Sequence, residues 1–407
     1  MTIKGEQGQF SAMNINNDIT AQIDLTAESK LVQLLITPEK MALTDFHQLV
    51  DKTPLTDIIG NVFSFVQLEG DATATVQVDI PISEGKVNVQ GSVITQSANL
   101  FLPSIPLEFT ELNSTVNFNN STFSVEISSG RLFKLPVSFN VDGKQSAEYY
   151  GISSHLVADW QHNDFLQHYP SQLNQYFDGE ITSGVKVEVN LDDEGYQYFV
   201  AVKSDLSDAQ YDIATPLRKP IGEESVLTTF MIGDGETHQL EMLLDDKLVF
   251  RGNAFGEKTS REEAVFTQAH LAIGSEHSIL PNEGFDIRLD IEQTEFEPTL
   301  NFVTDLISYI NQNKSSGKAI LSSPNKIEGN IQNLSILSQQ WQNVSLNAKP
   351  EQDGWLFSIG AKQTLAEIIV FDDLTNKGID INASFLQIEV EPAQEEQLLK
   401  DQQQEEQ

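Results

Sequence analysis

Three short stretches of this chain hold residue types that do chemistry. His162, Asp164 and His168 bring two imidazoles and a carboxylate close together, ligand types that a zinc ion takes. Their spacing matches neither an H-x-x-x-H pair on one helix face nor another common zinc pattern, so they read as solvated residues of a helical stretch. Asp192-Asp193-Glu194-Gly195 is acidic, but the D-x-D/N-x-D/N-G spacing of a calcium loop is absent, and the tetrad reads as a hairpin turn. Gly233-Asp234-Gly235 lacks the third glycine of a dinucleotide loop and lies among strands rather than between a strand and a helix. No G-x-S-x-G elbow and no Walker loop is present. Among 60 acidic residues, carboxylate pairs of the glycosidase kind arise by chance. The chain has no cysteine, which excludes disulfides, thiolate metal sites and a cysteine nucleophile. No catalytic residue, metal ligand or cofactor is assigned, and the chain is not expected to be an enzyme.

Apart from that helical stretch, the elements that carry these residues are strands and their turns. A length of 407 residues exceeds what one core fills, so several packed units are expected. The formal charge of −36 argues against nucleic acid, which is bound through Lys and Arg, and against electrostatic docking to anionic headgroups. The first twenty residues contain neither a basic nor an apolar signal region, and no run approaches the roughly 18–20 apolar residues that span a bilayer.

Leu68 to Ile80 and Phe177 to Val189 repeat each other. Gly70, Asp71, Thr73, Val76, Val78 and Ile80 align with Gly179, Glu180, Thr182, Val185, Val187 and Val189 at a constant offset of 109. Alternate residues are apolar in both copies, the mark of a strand with one apolar side. A helical stretch precedes each copy, at 54–66 and 164–177, and a third is expected at 299–312 before a further β set. The pattern predicts units of helix followed by β-meander at 1–158, 159–297 and 298–391, then a Gln/Glu-rich disordered tail at 392–407. Repetition at about 110 residues implies an elongated architecture.

The apolar faces allow two readings. One is the inside of a closed β-sandwich, as in an extracytoplasmic structural or adhesive repeat protein. The other is a sheet whose apolar side carries lipid. A chain of about 16 methylenes, at roughly 0.8 kcal/mol each, resists leaving a membrane by about 13 kcal/mol, and a continuous apolar lining offsets that cost.

Specific residues bear on the choice. Lys203-Ser204-Asp205-Leu206, Ala214-Thr215-Pro216-Leu217-Arg218-Lys219, Arg251-Gly252, Leu271 to Gly274, Leu280-Pro281-Asn282-Glu283-Gly284-Phe285 and Asp353-Gly354-Trp355 follow one another in order. With Thr53-Pro54-Leu55 and Ile80-Pro81-Ile82, this order resembles the YhdP branch of the AsmA-like family across nearly all of residues 40–390. The resemblance implies a mainly β fold, an elongated, twisted antiparallel sheet of repeated units rolled into an apolar groove with a few short amphipathic helices. It also implies long periplasmic proteins of Gram-negative bacteria, anchored in the inner membrane, that support phospholipid transport to the outer membrane and envelope homeostasis. Against that pattern, this sequence reads as an interior piece without the family's N-terminal anchor and C-terminal AsmA-like part. The implied partners are phospholipid acyl chains, with the components at either membrane unknown. Candidate lining residues are Val76, Val78, Ile80, Val87, Val89, Val185, Val187, Val189 and Leu191.

Overall fold

Period-two alternation, broken by Asn, Gly and Asp at turns, makes strands of most of this chain, and the computed structural model of the protein is mainly β. It describes residues 2–5, 8–10, 13–15, 19–24, 31–38, 40–44, 66–82, 85–102, 107–132, 134–161, 172–192, 195–255, 266–275, 277–312, 321–336, 339–373 and 375–387. The chain divides into two compact units, Met1–Pro170 with Gly179–Ala209 and Glu224–Gln239, and Ser171–Asp178 with Gln210–Glu223 and Leu240–Gln407. Among the described residues no helix is long and apolar enough to cross a membrane.

The strands before the repeat are β1 (Thr2–Gly5), β2 (Gly8–Phe10), β3 (Met13–Ile15), β4 (Ile19–Asp24), β5 (Leu31–Ile36) and β6 (Met41–Ala42). Then follow β7 (Gln67–Pro81), β8 (Asn88–Leu102), β9 (Leu107–Asn119), β10 (Thr122–Leu132), β11 (Leu135–Gln145) and β12 (Tyr150–Gln161). Next come β13 (Phe177–Leu191), β14 (Tyr196–Asp205), β15 (Ala209–Tyr211), β16 (Val226–Asp234) and β17 (Thr237–Leu244). In the first unit the ladder runs antiparallel from β1 through β4 and β5 to β7. It continues strand by strand from β7 to β14 and then to β16. Strands β2 and β3 form a separate hairpin.

Tight turns set this register. Asn120, in the left-handed region at φ 49°, turns β9 into β10, and its side-chain Oδ1 accepts the Val89 N–H at 3.0 Å. Asn tolerates that backbone better than most residues. The two aligned glycines of the repeat share a positive φ, 123° at Gly70 and 102° at Gly179. A side chain at Gly179 would place its Cβ 2.2 Å from the Asp208 carbonyl oxygen, so only glycine fits there.

In the second unit the strands are β18 (Leu248–Phe255), β19 (Phe266–Ile273), β20 (Gly284–Glu295), β21 (Pro324–Ile336), β22 (Gln339–Glu351), β23 (Gly354–Gly360), β24 (Thr364–Phe371) and β25 (Ile379–Leu386). Neighbours pair antiparallel except β19 with β20 and β20 with β21, which are parallel. A parallel pair needs a connection that carries the chain back along the sheet. Between β20 and β21 the helix α1 (Phe296–Gln312) contributes to that return. Between β19 and β20 it is a strap through Ser278 and Pro281, tied down by Arg251 Nη1 donating to the Ser278 carbonyl at 2.8 Å and Gln268 Nε2 to the Pro281 carbonyl at 3.1 Å.

Helix α1 coincides with the third expected helical stretch. Pro298 sits in its first turn, where no amide is required. The second expected stretch is described only from 172, where Gln172–Tyr176 tightens into a 3₁₀ turn and Phe177 opens β13. Tyr176 Oη and Gln175 Nε2 both donate to Asp305 Oδ2 of α1. The first expected stretch, 54–66, lies outside the described residues except for its last residue.

Candidate functional site

The stretches with chemical side chains do not assemble a reaction centre. His162, Asp164 and His168 lie outside the described residues. Asp192 spends its carboxylate on the turn, where Oδ1 accepts the Gly195 N–H at 2.9 Å. Asp234 does likewise, accepting the N–H groups of Glu236 and Thr237 at 2.8 and 2.7 Å. Those amides hold its pKa below the usual carboxylate value because they stabilise the charged form. Among the described residues no three His, Asp or Glu side chains converge as metal ligands.

What the sheet does assemble is an apolar face. Residues opposite one another in register share a face, so pairings can be followed from strand to strand. Val76 opposes Gly91, which opposes Phe118, which opposes Phe123. Phe123 opposes Gly143, which opposes Ile152, and Ile152 opposes Val189, itself opposite Tyr198. The next row runs from Ala74 and Val93 through Val116, Val125 and Val141. It crosses Ser154 to Val187, Val200 and Met231. The two copies of the sequence repeat, β7 and β13, thus lie on one face of one ladder.

Of the sequence-derived lining residues, Val76, Val78, Ile80, Val185, Val187 and Val189 are part-exposed members of this face. Val89 and Leu191 belong to it but are buried, at 6% and 4% exposure. Val87 lies in the turn before β8, exposed and outside the ladder. The sequence predicts strands between the copies at 86–94, 107–109, 114–118, 122–127 and 135–141, and these fall in or overlap β8 to β11. Of their residues only Val87 and Val89 are among the lining candidates, and β12 is not expected. Phe118, Val125, Val141 and Ile152 connect the copies, and the signal was the same alternation in β9 to β12.

Aromatic rings smooth the face by lying over glycines. A Cβ built on Gly143 would stand 2.2 Å from the Phe123 ring, and one on Gly91 would stand 2.7 Å from the Phe118 ring. A glycine in a strand packs nothing itself, so the ring of the neighbouring strand takes its place.

The accessibility profile across this face is unusual for a core. From β9 to β16 the central valines, Val116, Val125, Val141, Val187 and Val200, are all part-exposed. The flanks are drier. On one side Val137, Ala158, Ser183 and Ser204 are buried, and on the other Tyr150 and Leu191. Ser183 and Ser204 satisfy each other at 2.8 Å. A sandwich interior is driest at its middle. From β9 to β16 the middle is the less dry part, although Ala74 and Val93 at the start of the same row are buried and Val116, Val125 and Val141 pack against their cluster.

The second flank is lined with phenols. Tyr150 opposes Leu191, which opposes Tyr196, and Tyr196 and Tyr198 stack at 6.4 Å. Tyr198 Oη hydrogen-bonds His238 Nδ1 at 2.9 Å. Burial pushes the Tyr150 and Tyr198 phenols up to about 12, because the ionised form loses its hydration.

The second unit repeats the arrangement. Phe250 opposes Leu271, which opposes Ile287, which opposes Ile327. Ile327 opposes Ala348, and the row continues through Phe357 and Ile368 to Ile381. Leu289, Leu346 and Ile359 in the adjacent row are part-exposed, whereas Ile291, Ile331 and Val344 beyond them form a buried cluster. The alternate rows of this unit are polar. Arg288 opposes Glu328, which opposes Asn347, and Ser358, Glu367 and Asn382 follow. A depression of about 610 Å³ is lined by Arg288, Glu328, Asn347 and Glu367 of the polar row together with Leu289, Leu346 and Ile359.

These features define a class: a mainly β protein whose two units each carry a part-exposed apolar face, with no metal-ligand cluster among the described residues. Over residues 1–407 the chain matches the family model described as YhdP protein, and it belongs to that family. It is similar to the intermembrane phospholipid transporter YhdP of Escherichia coli (strain K12), with 24% identity over 323 residues, covering 78% of this chain and 24% of the relative. The chain therefore spans about a quarter of the length of that curated relative. No solved structure matches the chain.

Proposed function

We propose that this chain is a non-enzymatic segment of a phospholipid conduit between the inner and outer membranes, working in the periplasm and supporting the outer membrane. Its apolar rows hold acyl chains while polar rows face water. In this reading the units 1–158, 159–297 and 298–391 each supply part of a groove lining, with 392–407 as a tail. The relative's phospholipid transport supports the substrate class. The observation that carries the reading is the part-exposed central row from Val116 to Met231. Aliphatic side chains left part-exposed along the middle of an apolar face favour a binding surface over a finished core.

The test places a photo-crosslinking residue at Val78 or at Val187 and analyses the material captured in cells by mass spectrometry. Covalent adducts with phospholipid are expected from both positions. Crosslinks only to buried protein neighbours, with no lipid at either site, would sink the conduit and favour a closed-core adhesive or structural protein.

A further inference from the structure

We infer that a bound phospholipid lies along the strands of the first unit with its glycerol-ester and phosphate end at the phenolic flank formed by Tyr150, Tyr198 and His238. This inference rests on the conduit reading and adds a fixed orientation to it. The first observation is an orphaned donor. Tyr150 is only 5% exposed, and its hydroxyl is buried without a hydrogen-bond partner among the described residues. A buried hydroxyl is ordinarily paired, so this one calls for an acceptor that arrives with a ligand. An ester carbonyl or a phosphate oxygen is such an acceptor, whereas a hydrocarbon tail is not.

The second observation is asymmetry. Tyr198 and His238 stand on the same flank, joined at 2.9 Å, with the Asp192 and Asp234 turns beyond them at the ends of β13 and β16, carboxylates that repel a bare phosphate and attract the amine of a zwitterionic headgroup. The opposite flank has its hydroxyls already satisfied, Ser183 on Ser204 at 2.8 Å, and apart from the buried indole N–H of Trp160 is apolar, with Leu156, Ala158 and Trp160 packed together. Tyrosine with an apolar ring and a polar tip belongs where hydrocarbon meets headgroup.

The third is length. Tyr150 and Leu156 lie on the same face of β12, separated by about 20 Å at roughly 3.4 Å per residue. One leaflet of a bilayer holds acyl chains about 15 Å deep. A tail of that depth anchored at Tyr150 covers the part-exposed rows at Ile152 and Ser154 and ends about 5 Å short of Leu156, within the width of the face.

Two phospholipid probes test this on the full chain, one with a diazirine on the headgroup and one with it at the acyl terminus. The headgroup probe should label peptides holding Tyr150, Tyr198 or His238, and the acyl probe those holding Leu156 or Val202. Headgroup labelling on the Leu156 flank, or equally on both flanks, overturns the orientation and leaves the conduit reading standing. Labelling by neither probe overturns both. Tyr150→Phe supplies the second arm. It should weaken phospholipid retention about tenfold, the loss of one good hydrogen bond, while the lipid-free variant melts no lower than the parent. Unchanged retention in Tyr150→Phe refutes the role of that hydroxyl.

Discussion

Val187→Asp separates an accessible apolar face from a closed core more sharply than any truncation. Val187 lies in the central row between Ser154 and Val200 and is part-exposed. If water or lipid reaches that row in the native protein, the new carboxylate stays hydrated, and the cost is the lost contact of two methyls. That is about 1 kcal/mol, at most half the 1.5–3 kcal/mol for burying an aliphatic side chain fully. If the row is a dry core, an unpaired charge adds several kcal/mol more. With a urea slope of about 2 kcal/mol/M, the two cases differ as a midpoint shift of about 0.5 M against 2 M or greater. Trp160 fluorescence in a Trp341→Phe, Trp355→Phe background reads the first unit alone, since these are the chain's three tryptophans. Ile127→Asp is the control, because Ile127 is 5% exposed on the same face and should show the large shift. Lipid retention must respond in the opposite order of severity. A carboxylate that displaces about three methylenes at 0.8 kcal/mol each weakens binding about fifty-fold. Equal, large losses of stability in Val187→Asp and Ile127→Asp would refute the reasoning.

Three further outcomes are expected. Gly143→Ala should destabilise the first unit by about 1–3 kcal/mol, since its Cβ would stand 2.2 Å from the Phe123 ring and force that ring off its site. Adding Phe123→Ala should cost less in that background than in the parent, as read by a double-mutant cycle in urea. Burial holds the His270 pKa below its ordinary 6.5, in a setting that faces Arg251, Asp286, Lys326, Glu328 and Arg288. The unfolded chain then binds that proton better, so His270's contribution is complete above pH 6.5 and is lost as pH falls through 6.5 toward the folded value. Urea midpoints of the second unit should drop between pH 7.5 and pH 5.5, and His270→Gln should flatten that dependence. Finally, removing co-purified phospholipid with detergent should lower the unfolding temperature, by about 2.7 kcal/mol of lost linkage if lipid stood at 100 times its Kd. No shift despite loss of lipid by mass spectrometry would count against binding to the folded face.

Alternation made β7 and β13 readable, and their matched glycines proved to need the same unusual backbone. What alternation leaves open is which strand lies beside which, because period two fixes a face but not a neighbour. That choice was made by features a single sequence states weakly, such as the left-handed Asn120 and the bulges after Thr95 and Ile127. Strand β12 was the costliest omission. Ser153, Ser154 and His155 interrupt its apolar set, and no strand is expected between Val141 and the unit that begins at 159. Yet β12 is the strand that pairs β11 with β13 and joins the two repeats. The parallel pairings of β20 were hidden for another reason. A strap and a helix return the chain to the same end of the sheet, and neither carries a direction in its composition.

The same logic bears on the two readings of the apolar face. A sandwich and a lipid-bearing sheet require identical alternation, and differ only in where the apolar surface stays accessible. In a sandwich the layers meet at the middle, so Val125, Val141 and Val187 would be drier than Tyr150 or Ala158. The order is reversed in the first unit, and Leu289, Leu346 and Ile359 against Ile291, Ile331 and Val344 reverse it again in the second. A protein bearing a formal charge of −36 tolerates such surface without self-association more readily than a neutral one. Part-exposed middles flanked by drier margins support the proposed lipid-bearing face, and the Tyr150 hydroxyl buried without a partner at one margin is where the proposed orientation puts the lipid's polar end.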